Sequence, residues 1–383
     1  MSIKNFKINV SDETLHDLRY RLIHTRWPDQ YENATWEYGT EQNYLQSLIS
    51  YWIKDYDWKK QEQELNQYHH YITSIDGLDI HYIHERGKGS HPIPIILTHG
   101  WPDSFIRYQK IIPYLTDPAN HGGDPNDSFD VVIPSLPGFG FSQKPSNGGI
   151  NNSVIAEYWS KLMQNVLGYQ KYAASGGDVG SGVTRYLACS HPNSLIGIHL
   201  TDIGIIKSLL ANSASNTLST QERNYVKESQ DWLSIEGAYM TLQSTKPQSL
   251  AYGLADSPVG LAAWIIEKFQ SWSDCNGLLD NKFSKDELLT NIMIYWITNT
   301  IDSACRIYYE NTHSLPPIDL INVPTGISLF SKDIMPPAKD WALRNLNITY
   351  WNEIAHGGHF TAMEEPELFA MEIRKFFKPY REL

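Results

Sequence analysis

Cysteine, positive charge and long apolar runs are all in short supply, and each shortage removes a class of protein from consideration. Only Cys189, Cys275 and Cys305 occur, an odd number at wide spacing. That excludes a disulfide framework and a thiolate metal site, and a reducing compartment suits the chain best. Lysine and arginine number 31 against 43 aspartates and glutamates, a net charge of -12. Nucleic-acid binding relies on cations that displace phosphate counterions, so nucleic acid is excluded as a partner. No stretch nears the roughly 18 consecutive apolar residues of a transmembrane helix. The amino-terminal MSIKNFKINVSDETLHDLRYRL lacks the apolar core of a signal peptide and reads as a short strand, then a helix capped at Ser11 or Asp12. The expectation is a cytoplasmic protein with no membrane span. Internal repeats and low-complexity tracts are also missing.

What is present is apolar and aromatic. Hydrophobic residues make up 41% and charged residues 19%, the balance of a globular chain, and the 12% of aromatics includes 23 Tyr and 12 Trp. Such rings fill cores and line apolar pockets. With 383 residues, the chain is two domains or one large domain carrying an insertion.

From about residue 73 the text changes character. TSIDGLDIHYIHE alternates apolar and polar residues around a Gly turn, the pattern of a hairpin. PIPIILTHG (92–100), FDVVIPSLPG (129–138), KYAASGGDVG (171–180) and SLIGIHLTD (194–202) follow, each opening on a short apolar run. Between them lie helix-like stretches such as SVIAEYWSKLMQNVLG, with Ser153 as the expected N-cap, so strand and helix alternate as in a parallel sheet. The alternation breaks over 203–315, which reads as mostly helical, and resumes with PTGISLFS, a helical PAKDWALRNL, the strand-like NITYWNE and a final helix around PELFAMEIRKFF. The predicted fold class is α/β: a mostly parallel sheet with helices on both faces and one helical insertion. That layout is similar to a lidded α/β hydrolase.

Three segments carry chemistry. In Ser175-Gly176-Gly177-Asp178-Val179-Gly180-Ser181, small residues flank Asp178 at minus two and plus two, as in a nucleophile elbow, where a strained strand-to-helix turn tolerates only small neighbours. The usual nucleophile there is serine; an aspartate instead forms an ester with a carbon electrophile, which water must then cleave. His99-Gly100-Trp101-Pro102 follows an apolar strand, where such folds place one oxyanion-hole N–H, the other coming from the residue after the nucleophile. Trp101 and Val179 are therefore the expected donors, Trp101-Pro102 is a candidate cis peptide, and His99 is expected to be structural. Third, His356-Gly357-Gly358-His359-Phe360 precedes the last helix, completing the chain order nucleophile, acid, histidine. By spacing alone His356 and His359 are equal candidates. Asp333, past a late strand, and Asp202, past the strand after the elbow, compete for the acid.

Together these segments resemble the epoxide hydrolases of the microsomal and juvenile-hormone type over nearly the whole chain. The motifs include KINVSDETLHDLRYRL, TRWPD, HGWPDSF, DVVIPSLPGFGFS, SGGDVGS, YMTLQSTKPQSLAYGLADSPVGLAAWIIEKF and GGHFTAMEEPE. The resemblance implies Asp178 as nucleophile, His359 as base, Asp333 as charge-relay acid, and Tyr239 and Tyr308 as lid donors to the oxirane oxygen, with Tyr309 adjoining Tyr308. It implies two departures as well. Asp103 stands where the family commonly has Gly, setting a carboxylate near the oxyanion loop, and Val179 stands where it commonly has Trp, removing a large wall from the pocket. Trp101, Phe139 and Phe360 are expected to bind substrate. The domains read as an amino-terminal meander (1–72), an α/β-hydrolase core in two parts (73–202 and 316–383) and a helical lid (203–315). The expected activity is addition of water to a small apolar epoxide to give a vicinal diol. No metal or organic cofactor is called for, and a homodimer is the one assembly considered. The alternatives are a dehalogenase, which shares the Asp-His-Asp plan, and an inactive lidded binder of an apolar ligand.

Overall fold

A computed structural model describes residues 2–204 and 218–381. Among the described residues nine strands form one sheet in the order β1-β2-β3-β5-β4-β6-β7-β8-β9. They are β1 (Ile3–Phe6), β2 (His70–Ile75), β3 (Leu78–Glu85), β4 (Ile93–Thr98), β5 (Phe129–Pro134), β6 (Tyr172–Gly176), β7 (Leu195–Leu200), β8 (Ile321–Lys332) and β9 (Leu346–Gly358). The pairings β1–β2, β2–β3 and β3–β5 are antiparallel, and from β5 across β4, β6, β7 and β8 to β9 every pairing is parallel.

Local chemistry accounts for the ends of the elements. The β2–β3 hairpin turns at Asp76 and Gly77, both at positive φ (51° and 84°), the two-residue turn whose twist matches paired strands. Every residue of β5 and β6 is buried, which is why these segments read as apolar or small-residue runs, broken only by Asp130, rather than alternating ones. Ser11 caps α1 (Asp12–Ile23) by accepting from the Thr14 N–H at 3.2 Å. Helix α2 spans Gln42–Lys54 and α3 Trp58–Leu65. After the short α4 (Ile112–Thr116), α5 (Asn152–Lys161) starts two residues earlier than an N-cap at Ser153 would allow. Asn151 is its cap, because its carbonyl side chain reaches the N–H groups of both Ser153 and Val154.

The sheet is covered on both faces. Ser175, His199 and Gly326 point one way, toward the last long helix, where His199 meets Phe369 and Phe376. Gly176 points the other way, toward α6 (Val179–Ser190).

Between β7 and β8 the described residues form six helices: α7 (Thr220–Glu236), α8 (Ala238–Thr245), α9 (Pro247–Asp256), α10 (Pro258–Trp272), α11 (Lys285–Thr298) and α12 (Ile301–His313). Their boundaries are written in the sequence. Pro247 and Pro258 occupy first helical positions, where a missing N–H costs nothing. Ser219 with Glu222, and Ser284 with Glu287, close reciprocal capping boxes. The amino-terminal helices fasten this layer: Arg21 pairs with Asp256 at 2.8 Å, and Tyr51 donates to Asp286 at 2.9 Å.

Candidate active site

The functional side chains gather at the carboxyl ends of the parallel strands, where loops from separate strands converge. Asp178 follows β6 and caps α6 with φ 57° and ψ -127°, a conformation few non-glycine residues adopt. Its neighbours explain how the turn is tolerated. A Cβ on Gly180 would lie 1.9 Å from the Thr98 carbonyl oxygen, and one on Gly176 would lie 2.3 Å from that of Gly180. The main-chain N–H of Asp178 is held by Asp202 Oδ2 at 2.6 Å.

That bond settles where Asp202 belongs. Its other oxygen accepts the Gly204 N–H at 2.9 Å, and its main-chain carbonyl accepts the Ser181 hydroxyl at 2.6 Å. Asp202 therefore ties the end of β7 to the elbow. It is Asp333, after β8, that reaches histidine: Oδ1 accepts from His359 Nδ1 at 2.7 Å. On the opposite side of the ring, His359 Nε2 lies 3.7 Å from Asp178 Oδ2. His356 is the exposed member of the pair, its side chain 57% accessible and 3.6 Å from Glu365.

The Trp101 N–H donates to Asp178 Oδ1 at 2.8 Å, and the Val179 N–H also bears on this carboxylate. Burial raises the Asp178 carboxyl above its ordinary range, while His359 and the two N–H groups work against that shift. The imidazole is raised: burial opposes its charge, but Asp333 outweighs burial through its charge and hydrogen bond. The Trp101–Pro102 bond is cis. His99 is structural, its Nε2 accepting from the Leu136 N–H at 3.1 Å while Nδ1 donates to the Gly100 carbonyl at 2.9 Å.

Two phenols face this carboxylate from the lid. Tyr239, on α8, stacks on the Trp101 ring at 5.2 Å, and Tyr308, on α12, meets the same ring edge-on at 5.8 Å. Their own rings are 5.9 Å apart and their hydroxyls interact. Burial pushes both phenols well above their usual value, so both remain protonated donors. Tyr309 points away, 40% exposed and stacked on His313.

A cavity of about 990 Å³ connects these groups, with Asp178, Val179, Tyr239, Tyr308 and His359 in its wall. Three expectations for substrate-binding side chains need correction. Phe139 and Phe360 are fully buried behind the wall: Phe139 packs on His99 and Tyr295, and Phe360 stacks on Phe269 at 3.9 Å. The Trp101 ring is likewise buried, covered by the two tyrosines, so this residue faces the site through its main-chain N–H.

Other residues hold the machinery, and of these only Asp103 was singled out from sequence, as a carboxylate near the oxyanion loop. Asp103 accepts the Gly100 N–H at 2.8 Å and pairs with Arg107, which donates from its other nitrogen to the His359 carbonyl at 2.5 Å. Their i,i+4 spacing on HGWPDSFIR is the signal that could have found the pair. Glu364 accepts the N–H groups of Gly358 and Phe360, on either side of His359, and that of Asp274 in the lid. Burial raises its carboxyl to about 7. Asn291 and Tyr295 of α11 bond to the carbonyls of Pro102 and Asp103 at 2.8 and 2.6 Å, pinning the oxyanion loop to the lid.

Comparison with known proteins decides which chemistry this constellation serves. Residues 3–108 match the family described as epoxide hydrolase N terminus, and residues 93–248 match the alpha/beta hydrolase fold. Epoxide hydrolase 1 of Oryctolagus cuniculus is 40% identical over 404 residues, an alignment covering 98% of this chain and 88% of the rabbit protein. The chain belongs to the epoxide hydrolase family. Juvenile hormone epoxide hydrolase 2 of Ctenocephalides felis is 35% identical, with 99% of this chain and 86% of that one covered. The crystal structure of juvenile hormone epoxide hydrolase from Bombyx mori superposes with a TM-score of 0.85 at 31% identity, covering 100% of this chain and 95% of that one. Neither the dehalogenase nor the inactive binder is favoured by these similarities. Among the described residues no single helix is long and apolar enough to cross a membrane, and no cluster of acidic, histidine or cysteine side chains could hold a metal ion.

Proposed function

We propose that this epoxide hydrolase opens its substrate through an alkyl ester on Asp178. The supporting observation is the division of labour between the two Asp178 oxygens. Oδ1 is occupied by the Trp101 N–H, whereas Oδ2 lies on the side of His359, and the residue is partly open to the cavity.

Oδ2 attacks a ring carbon. The carbon–oxygen bond of the oxirane breaks, and Tyr239 and Tyr308 share the negative charge that develops on the departing oxygen and supply its proton. A phenol suits the task because it stays protonated at neutral pH yet readily protonates an alkoxide. In the second step neutral His359 accepts a proton through Nε2 from a water molecule that attacks the ester carbonyl carbon. Oδ1 becomes the oxyanion and already accepts the Trp101 N–H, while the Val179 N–H bears on the same carboxylate. Collapse releases the diol and restores the carboxylate, which now carries the oxygen of water; the proton on His359 returns to the tyrosinate. Asp333 holds the imidazole in the tautomer whose Nε2 can accept.

A single turnover in water enriched with heavy oxygen tests this course. The diol formed first should contain only light oxygen, and the peptide bearing Asp178 should gain one heavy atom. Heavy oxygen in the first diol would mean that water attacks the ring directly.

A further inference from the structure

Two arginines border the active site, Arg107 fully buried and Arg185 partly so, and they differ in one respect. Arg107 is fully engaged by Asp103 and the His359 carbonyl. Arg185, in the wall of the substrate cavity, has no carboxylate partner among the described residues. One of its terminal nitrogens donates to the Ile203 carbonyl, and its Nε is buried without an acceptor among the described residues. The acid that bears on it most is Asp202, but both Asp202 oxygens are already taken by the main-chain N–H groups of Asp178 and Gly204. Burial accordingly pulls the guanidinium below its ordinary value. An uncompensated charge in such a place is costly.

From this arrangement we infer that Arg185 is an anchor for a carboxylate on the substrate. This rests on the epoxide-opening reading above and adds the substrate class: aliphatic epoxy acids. The spacing along α6 supports the assignment. Val179, Gly182, Arg185 and Tyr186 all line the cavity, the three- and four-residue intervals of one helix face. Seven residues separate Arg185 from Asp178, an advance of about 10 Å in nearly two turns. An acid bound at Arg185 would thus present to Asp178 an oxirane about eight carbons along an extended chain, given that advance. Between and around the two ends the wall is apolar, with Trp232, Leu233, Met240 and Ile334 among its side chains. A hydrocarbon chain matches that wall, and a guanidinium fork matches a carboxylate.

The test compares epoxidised oleic acid with its methyl ester, which share the oxirane and differ only in the charge. Wild-type kcat/KM should favour the acid, and Arg185→Met should reduce the acid-to-ester ratio roughly 10- to 100-fold, chiefly through KM, because the contact is remote from the reacting carbon. The ratio cancels any general loss of folded protein, and Arg185→Lys, which keeps the charge, should retain part of the preference. A second measurement is calorimetric binding of dodecanoate, which carries no oxirane and is not turned over; it should weaken by a similar factor in Arg185→Met. An unchanged ratio, or dodecanoate binding indifferent to the substitution, overturns the anchor. Styrene oxide, which has no anion, tests the underlying chemistry separately. If it yields no diol while dodecanoate binding still depends on Arg185, the anion site stands and the epoxide-opening reading falls.

Discussion

Asp333 Oδ1 and His359 Nδ1 are 2.7 Å apart in a fully buried contact that joins the end of β8 to the loop after β9. Because Nδ1 is committed to this bond, Nε2 is the ring atom turned toward Asp178. In the proposed course the pair thereby separates the two half-reactions: Asp178 needs no base to attack, whereas the water that cleaves its ester does.

Replacing His359 by Gln should therefore leave alkylation intact and stop turnover. Intact-protein mass spectrometry after mixing with a reactive epoxide should show one added substrate mass, mapped to Asp178. Normal turnover in this variant, with ester trapped in His356→Gln instead, would reverse the assignment.

The two steps should also differ in pH dependence. His359 acts as a base only when neutral, and Asp333 holds its pKa above the ordinary 6.5. Ester hydrolysis in single-turnover experiments should thus rise with pH through an apparent pKa above that value. Alkylation should instead fail on the acid side, as Asp178 becomes protonated, and stay level into the alkaline range, since both phenols are raised. Asp333→Asn should move the hydrolysis limb to lower pH while reducing its plateau.

Asp333→Asn should impair ester hydrolysis far more than Asp202→Asn. Asp202 is expected to matter for stability, with a definite sign. Its carboxyl is raised from 3.8 to about 6 by burial and by Asp333. A raised folded-state value means stability that is full below about 4 and lost as pH rises through about 6. Asp202→Asn should flatten that slope in urea titrations across the window; an unchanged slope would contradict the assignment.

Tyr239→Phe and Tyr308→Phe should each slow alkylation on the order of 10- to 1,000-fold, and the double variant should be almost inactive. Stopped-flow measurement of the alkylation phase would detect the effect. Wild-type rates in the double variant would remove the phenols from the mechanism.

Arg107→Met leaves Asp103 charged and buried without its partner, which should cost about 3 to 5 kcal/mol of stability. Denaturant unfolding of the variant measures this. A loss below about 1 kcal/mol would mark the pair as dispensable.

Much of the molecule is legible in the chain because the cause is local. The hairpin at Asp76-Gly77, the proline-started and serine-capped helices, the apolar runs of β5 and β7, and the glycines around Asp178 all act over a few residues. Phe139 and Phe360 show where that logic stops, since whether an aromatic lines a cavity or backs it depends on what packs across from it. Spacing could not choose between Asp202 and Asp333 or between His356 and His359, because both acids end adjacent strands and both histidines share a loop. Tertiary structure chose through direction: the Asp178 N–H claims Asp202, the ring of His359 turns inward to Asp333, and His356 turns out to Glu365. Arg185 is a further case, an ordinary helical arginine in sequence whose proposed role rests on the lack of a carboxylate partner among the described residues.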